Sequence, residues 1–195
     1  GTGKTRTMVI FLSLLIQIDP KAQVALVAPT GKAAFRLQQA LEQAMIELGL
    51  PDSLKSQVSS FSKTYTIHRL LGVVHGSVDF HRNKTNHLPH DLVVVDEASM
   101  VDLPVMSKLF QSLKPSARII LSGDAEQLSP VQGGGVFNSL VRASDSNMFL
   151  QNDLGLLSKF SSVPLASVSS NALTGHVVTL MKSHRQDRSK QGRNL

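Results

Sequence analysis

Two short stretches of this sequence carry residue types that act on phosphate groups. The first is GTGKT at the amino end, which matches the second half of a phosphate-binding loop. The backbone amides of Gly1, Thr2 and Gly3 would point at phosphate oxygens, Lys4 would reach the β and γ phosphates, and Thr5 would hold Mg²⁺. The full pattern needs another glycine five places before Gly3. We therefore expect only part of the loop to be present.

The second stretch is an acidic pair at the end of an apolar run. Residues 92–95 are all apolar, and Asp96 and Glu97 follow them directly. In an in-line phosphoryl transfer, Asp96 would hold Mg²⁺, directly or through water, while Glu97 would orient and deprotonate the attacking water. The alternative is a pair of acids that cap a helix after a buried strand. The GKT sequence about 90 residues earlier favours the chemical interpretation.

Two further residues are candidates for sensing the γ phosphate. Gln127 follows a third apolar run and is a neutral donor that could bond this phosphate and report its loss. Arg185 follows the strand-like sequence HVVTL, where it could neutralise transition-state charge as an arginine finger. A polar turn and a solvated surface arginine are the simpler interpretations of these two residues.

Strands and helices must alternate to bring these residues together. The apolar run 8–18 predicts a buried helix beginning near Lys4, and Asp19-Pro20 ends it. The predicted strands are 23–29, 91–97 and 117–124, and the predicted helices are 30–48, 66–72 with Thr66 as cap, and 102–113 with Asp102 as cap. This alternation predicts an α/β fold with a parallel sheet and with its chemistry at the carboxyl ends of the strands.

Three segments interrupt this alternation. Residues 52–63 are rich in serine and predict a polar loop. Residues 73–90 have the glycine, asparagine and alternating apolar residues of a projecting β-hairpin. Residues 144–175 predict a loop-rich insertion with one short helix, and with disorder within 161–172.

The overall composition limits the possible environments and partners. With 20 Lys and Arg against 14 Asp and Glu in 195 residues, the net charge of +6 favours a polyanionic partner. The absence of cysteine excludes disulfides and thiolate metal sites and agrees with a cytoplasmic location. The amino-terminal apolar run is too short for a membrane span and lacks a cleavage site, so we expect neither a signal peptide nor a membrane partner.

The order of six motifs resembles that of the superfamily 1B DNA helicases, and most closely their RecD branch, the alpha subunits of exodeoxyribonuclease V. The motifs are GTGKT (1–5), APTGKAA (28–34), TIHRLLG (66–72), VVVDEASM (93–100), LSGDAEQLSPV (121–131) and KSHR (182–185), which look like motifs I, Ia, Ib, II, III and IV. The resemblance extends from the first residue to Arg185.

The resemblance implies a P-loop NTPase (RecA-like) fold, with residues 1–195 as motor domain 1A and residues 73–90 as the small 1B "pin". It implies an ATP-driven motor with Mg²⁺ that moves 5′ to 3′ on single-stranded DNA and unwinds duplex DNA in double-strand-break repair and recombination. RecB-like and RecC-like subunits are the implied partners.

The same resemblance assigns residues to two groups. Lys4, Thr5, Asp96, Glu97, Gln127 and Arg185 would serve the phosphates, the metal and the water. Thr30, Lys32, Thr66 and His68 match positions near the DNA backbone. Taken alone, a histidine such as His68 is more often a residue that packs its helix than a DNA contact.

Two alternatives remain open at this stage. One is a stand-alone RecD-like helicase or another P-loop ATPase, and the other is a DNA- or protein-binding module with a vestigial nucleotide site. The second motor domain with motifs V and VI is not present in this sequence. We therefore expect this chain by itself to have no helicase activity and little ATPase activity.

Overall fold

The structure is a computed structural model that describes residues 3–61, 63–127, 135–144, 147–161, 165–167 and 173–180. The chain divides into two compact units, Gly3–Val136 and Phe137–Leu195. Every candidate site residue that the structure describes lies in the first of these units.

The first unit alternates helices and short strands. In chain order it contains α1 (Lys4–Ile18), β1 (Val24–Ala28), α2 (Gly31–Glu47), α3 (Asp52–Phe61), β2 (Thr64–Thr66), α4 (Ile67–Leu71), β3 (Leu92–Val95), a 3-10 helix (Ala98–Met100), α5 (Leu103–Ser112) and β4 (Arg118–Leu121). The predicted strands at 23–29, 91–97 and 117–124 are present as β1, β3 and β4, whereas β2 was not predicted. The predicted caps are confirmed, because Thr30, Thr66 and Asp102 each accept a hydrogen bond from the backbone amide three residues later.

The four strands form one parallel sheet in the order β2-β1-β3-β4. Val27 pairs with Val95, and Val95 pairs with Leu121, so the last residues of β3 and β4 lie side by side. The central strands β1 and β3 are buried along their whole length, as continuous apolar runs in a parallel sheet require. The predicted α/β fold is therefore confirmed.

The main core lies between one face of this sheet and three helices. Apolar side chains of α1, α2 and α3 pack against Val24 and Leu26 of β1 and against Leu92 and Val94 of β3. The alternate residues of the same strands face the other way and are also buried. Burial on both faces fixes the strand ends relative to the start of α1.

The prediction of a loop at residues 52–63 is wrong, because most of this segment forms the helix α3. Val58 is fully buried, and Leu54 one turn earlier packs against the same core. Two apolar residues at helical spacing therefore outweigh the serine content of the segment, since most helical stability in proteins comes from tertiary packing.

Helix α1 begins and ends as predicted, but it is not buried on all sides. Met8, Leu12 and Ile16 face the core, whereas Leu14 and Ile18 on the opposite side are 54% and 82% exposed. Among the described residues, nothing covers this second face.

The structure shows no helix in its described part that is long and apolar enough to cross a membrane.

Residues 73–90 consist of turns and short extended pieces. Within this segment the structure has two isolated antiparallel bridges, Val73 with Phe80 and Asn83 with Asn86, in place of the regular strands of a hairpin. Asp79 forms a 2.6 Å ion pair with Lys108, which links the segment to α5 and lowers the pKa of Asp79.

Polar contacts also fix the amino end of β3. Asp91 accepts a hydrogen bond from the backbone amide of Gln23 at 2.8 Å and pairs with Lys114 at 2.6 Å, and both interactions lower its pKa. The neighbouring His90 ring is half-buried. Burial, followed by the positive charges of Arg82 and Lys114, lowers the pKa of His90 in spite of the opposing charge of Asp91.

The second unit contains only short elements in its described part. These are α6 (Val136–Arg142, whose first residue belongs to the first unit), β5 (Met148–Phe149), α7 (Gln151–Leu157) and β6 (Ala166–Ser167). The predicted short helix is present as α7. The expected strand at 176–180 is absent, although Asn147 exchanges hydrogen bonds with Thr179 there. Most of the expected disorder, 161–172, lies outside the described residues.

Candidate functional site

The candidate residues of the first unit gather at the carboxyl edge of the sheet. Asp96 and Ser122 directly follow β3 and β4, while Thr66 ends β2 and Thr30 comes two residues after β1. Since neighbouring strands lie about 4.8 Å apart, the strand order gives this edge two halves. The candidates for phosphate chemistry lie on the β3–β4 side, and the candidates for DNA contact lie on the β2–β1 side.

The phosphate-binding candidates begin where α1 begins. Gly3 has a φ of 88° in the left-handed region and precedes the first helical residue, Lys4. The Lys4 ammonium donates a hydrogen bond to the backbone carbonyl of Gly123 at 3.2 Å, which brings it onto the loop that follows β4. Thr5 lies in the first helical turn and is partly exposed. Gly1 and Thr2 lie outside the described residues.

Asp96 is held by bonds to both neighbouring strands. Its backbone amide donates to the carbonyl of Val27 at 2.8 Å, and its Oδ1 accepts a hydrogen bond from the hydroxyl of Ser122 at 2.9 Å. Among the described residues, Oδ2 accepts no hydrogen bond. One carboxylate oxygen is therefore fixed by the protein, while the second is available to a ligand.

Glu97 adopts an unusual backbone conformation for its residue type. Its φ of 52° and ψ of 38° are left-handed, and it makes no side-chain capping bond to the 3-10 helix that follows. Its Oε2 is buried and has no hydrogen-bond partner among the described residues. Glu97 therefore stands at the N-cap position of the 3-10 helix, but its side chain does not cap that helix. A buried carboxylate oxygen without a partner is ready to receive a water or ligand hydrogen.

The side chains at this site could hold a magnesium ion that is shared with a bound phosphate, rather than a metal whose ligands all come from the protein. The described residues contain no cluster of three or more His, Cys, Asp or Glu side chains. Asp96 and Thr5 offer only oxygen ligands, and Mg²⁺ is usually bound by one or two carboxylates together with substrate phosphates and waters.

No described contact joins either of the two sensor candidates to Lys4, Asp96 or Glu97. Gln127 is exposed, and its backbone amide donates to the carbonyl of Asp124 at 3.2 Å. Among the described residues its side chain makes no hydrogen bond. Arg185 lies outside the described residues, so its predicted role stays a prediction.

The candidates for DNA contact form the other half of the edge. The hydroxyls of Thr30 and Thr66 accept backbone hydrogen bonds as helix caps, and each retains its own hydrogen to donate outward. Lys32 is exposed in the first turn of α2. The exposed His68 contacts the ring of Phe80 edge-on, with centroids 5.7 Å apart. His68 therefore packs against the segment 73–90, whatever else it contacts.

Residues 1–133 match the AAA domain family, and this range includes the strands and helices that build both halves of the edge. The chain belongs to the AAA domain family. Membership in this family implies the use of a nucleotide, ATP. The parallel sheet with flanking helices and the start of α1 beside the loop after β4 agree with a P-loop NTPase fold.

Individual relatives of this AAA domain are named as subunits of the RecBCD enzyme. The chain is 42% identical over 146 residues to the "RecBCD enzyme subunit RecD" of Mycobacterium tuberculosis (strain ATCC 25618 / H37Rv), which is 72% of the chain and 25% of that protein. It is 43% identical over 148 residues to the same subunit of Haemophilus influenzae, covering 73% of the chain and 23% of that protein.

A third relative carries a different name. The "ATP-dependent RecD2 DNA helicase" of Deinococcus radiodurans is 35% identical over 144 residues, or 74% of the chain and 17% of that protein. The chain spans about a quarter of the length of the RecD subunits that it matches. A solved structure of Pif1 helicases covers 84% of the chain and 32% of its own chain at 20% identity, with a TM-score of 0.37, too low to add to the assignment.

Two residues of this AAA domain form hydrogen bonds with predicted site residues but were not themselves predicted. Ser122 donates to Asp96, and the carbonyl of Gly123 accepts from Lys4. The strand register could have identified them. If the last apolar residues of β3 and β4 are aligned, Ser122 lies beside Asp96. Residue type alone indicated only a polar turn.

Proposed function

We propose that the protein carrying this chain is an ATP-driven DNA helicase that moves 5′ to 3′ on single-stranded DNA as a subunit of an exodeoxyribonuclease V-type complex. The observation that carries the proposal is the 3.2 Å bond between Lys4 and the Gly123 carbonyl. It holds the phosphate-binding lysine on the loop that leaves β4, next to the strand end that presents Asp96 and Glu97. The order of the sequence motifs and the names of the relatives supply the rest.

Lys4 is suited to bind the β and γ phosphates even while it contacts Gly123. An ammonium group has three donors, and the carbonyl of Gly123 takes only one of them. Gly3 to Thr5 at the start of a 15-residue helix add backbone amides and a favourable helix dipole for a phosphate group.

Glu97 is the proposed base for hydrolysis. Its unpartnered Oε2 would accept a hydrogen from the attacking water and orient it for in-line attack on the γ phosphate. Asp96 and Thr5 would hold Mg²⁺, which supplies charge stabilisation when it is bound. Gln127 and Arg185 would report the loss of the γ phosphate to the rest of the motor.

The β2–β1 side of the edge is the proposed path of the DNA backbone. The hydroxyls of Thr30 and Thr66, together with the ammonium group of Lys32, are donors suited to phosphate oxygens. Such contacts carry no sequence information, which agrees with a motor that moves along any sequence. His68 and the segment 73–90 would lie where the strands part, with this segment as the pin.

The first experiment measures ATP hydrolysis by the intact protein with and without single-stranded DNA. Glu97→Gln should retain ATP binding and lose turnover by about 10²–10⁴-fold, as expected for a general base. Lys4→Ala should lose ATP binding. The matched control is Glu126→Gln, because Glu126 is an exposed acid in the loop after β4 with no side-chain bond among the described residues. Equal turnover by Glu97→Gln and the wild type would exclude the proposed chemistry.

The RecD2 relative is named as an ATP-dependent DNA helicase and not as a subunit, and this favours a second candidate, a helicase that works without partner subunits. The two candidates differ in whether the intact protein copurifies with RecB-like and RecC-like subunits from its own cells. Copurification supports the complex, whereas unwinding by the protein alone supports the second candidate. If the intact protein binds no Mg-ATP at all, a DNA- or protein-binding module with a vestigial site replaces both.

A further inference from the structure

We infer that Ser122 is a positioning residue for Asp96, and that its hydroxyl sets the affinity of the site for Mg²⁺. This inference rests on the proposed function, since it assigns a metal-binding role to Asp96. It concerns a residue that follows β4, whereas the acid follows β3, and the geometry around Ser122 carries it.

Ser122 makes three bonds to the segment that contains the acidic pair. Its amide donates to the carbonyl of Val95 at 2.8 Å, and its own carbonyl accepts from the amide of Ala98 at 2.8 Å. Its hydroxyl donates to Oδ1 of Asp96 at 2.9 Å. The two backbone bonds enclose Asp96 and Glu97 between them, so the single residue that follows β4 holds both acids in place.

Only the third of these bonds depends on the residue type at position 122. Any residue except proline can make the two backbone bonds at position 122, so alanine, which lacks only the hydroxyl, should leave the strand pairing intact. Without this hydroxyl, Oδ1 loses its only hydrogen-bond donor among the described residues. The Asp96 carboxylate would then rotate more freely, and Oδ2 would spend less time in the orientation that faces a ligand.

The hydroxyl also makes the two oxygens of Asp96 inequivalent. Oδ1 accepts a hydrogen from the protein, whereas Oδ2 accepts none from the described residues. Groups that bond to a metal-ligating carboxylate orient it, and their removal commonly lowers metal affinity or activity about 10–100-fold. A site with one protein carboxylate depends strongly on the orientation of that group, because few other protein atoms can compensate.

The test measures nucleotide affinity with and without Mg²⁺ rather than turnover. A fluorescent, slowly hydrolysed ATP analogue is titrated into the intact protein, first in excess EDTA and then over a series of Mg²⁺ concentrations. For Ser122→Ala we expect a rise of about tenfold in the Mg²⁺ concentration that gives half of the full change in nucleotide affinity. The affinity measured in EDTA should stay within about twofold of the wild type. Ser122→Thr, which keeps the hydroxyl, should restore the Mg²⁺ dependence.

A merely structural role for Ser122 predicts a different pattern. It would lower the affinity equally with and without Mg²⁺, and this result would overturn the inference. The matched control is Ser112→Ala, because Ser112 is a buried serine of α5 whose hydroxyl donates to the carbonyl of Leu109 at 2.7 Å. Its loss should change the melting temperature and leave the Mg²⁺ dependence unchanged.

The wild type separates the failure of this inference from that of the proposed function. If Mg²⁺ does not alter nucleotide affinity in the wild type, the proposed function fails, and this inference fails with it. If the wild type depends on Mg²⁺ and Ser122→Ala depends on it equally, the inference alone is overturned. A selective rise in the Mg²⁺ requirement that threonine reverses supports both.

Discussion

Glu97 occupies a backbone conformation that glycine adopts more easily than glutamate does. At a φ of 52° and a ψ of 38°, an L-residue costs about 1–2 kcal/mol. Its buried Oε2 has no partner among the described residues, and an unsatisfied buried polar atom costs about 1–3 kcal/mol. The residue proposed as the catalytic base therefore lowers the stability of the fold, and replacing it should raise that stability.

Three substitutions of Glu97 separate these costs. Glutamine removes the charge and keeps the strained backbone, alanine also removes the buried oxygen, and glycine relieves the backbone as well. Glycine gains about 1–2 kcal/mol from the relieved backbone and loses about 0.5–1 kcal/mol to the greater freedom of the unfolded chain. From the midpoints of these two ranges, we expect the unfolding free energy of the glycine variant to be about 0.75 kcal/mol above that of the alanine variant.

The assay is urea denaturation of the intact protein, paired with ATP hydrolysis on the same samples. The difference between the glycine and alanine variants corresponds to roughly 1–4 °C in melting temperature for a unit of this size. All three variants should lose turnover. A glycine variant less stable than the alanine variant would refute the assignment of strain to Glu97.

Asn147 supplies the matched control for this series. It has a φ of 61°, but its side chain is bonded to the backbone of Thr179 at 3.0 and 3.2 Å. Asn147→Gly therefore loses two hydrogen bonds, and asparagine tolerates the left-handed region well. We expect this variant to be less stable than the wild type, so a glycine at a positive φ does not stabilise by itself.

Three further predictions concern pH, packing and DNA. Because the pKa of His90 is lowered in the folded state, the unfolded chain binds more protons just below pH 6.5. Stability should fall as the pH drops from about 7.5 to 5.5, and His90→Gln should flatten this dependence in urea midpoints. Val58→Ala should cost about 2 kcal/mol of unfolding free energy, whereas Val78→Ala, at an exposed position, should cost almost nothing. Lys32→Ala should weaken single-stranded DNA binding and reduce its salt slope by about 1, while Lys21→Ala, at the opposite end of β1, should not, as measured by fluorescence anisotropy.

The strands β1, β3 and β4 and the helix caps of the first unit could be predicted because their signals are local. The runs that form β1 and β3 are apolar without interruption, which is typical of strands buried on both faces. Thr30 and Asp102 each precede an amphipathic run, and their side chains satisfy the first free amides of the helix. Sequence and structure agree wherever one residue and its near neighbours determine the outcome.

The helix α3 and the exposed face of α1 could not be predicted in this way. Val58 becomes a core residue only because α1 and β1 lie beside it, and the local serine content gives the opposite indication. In α1, apolar residues on all sides predict burial on all sides, yet Leu14 and Ile18 are exposed in the described structure. Both errors arise because the neighbours of a helix, which decide how much of it is buried, are distant in sequence.

The left-handed turn at Glu97 has the same origin and bears directly on the proposed chemistry. Left-handed residues are usually glycine or asparagine, so a local rule would not place Glu97 there. The bond that encloses the turn is long-range, since the amide of Ala98 reaches the carbonyl of Ser122 at 2.8 Å. Between the two residues that bond to Ser122, Val95 and Ala98, the chain has only Asp96 and Glu97 with which to make the turn. The strand pairing that places Ser122 beside Asp96 therefore also imposes the conformation of Glu97, and one long-range contact governs both acids of the site.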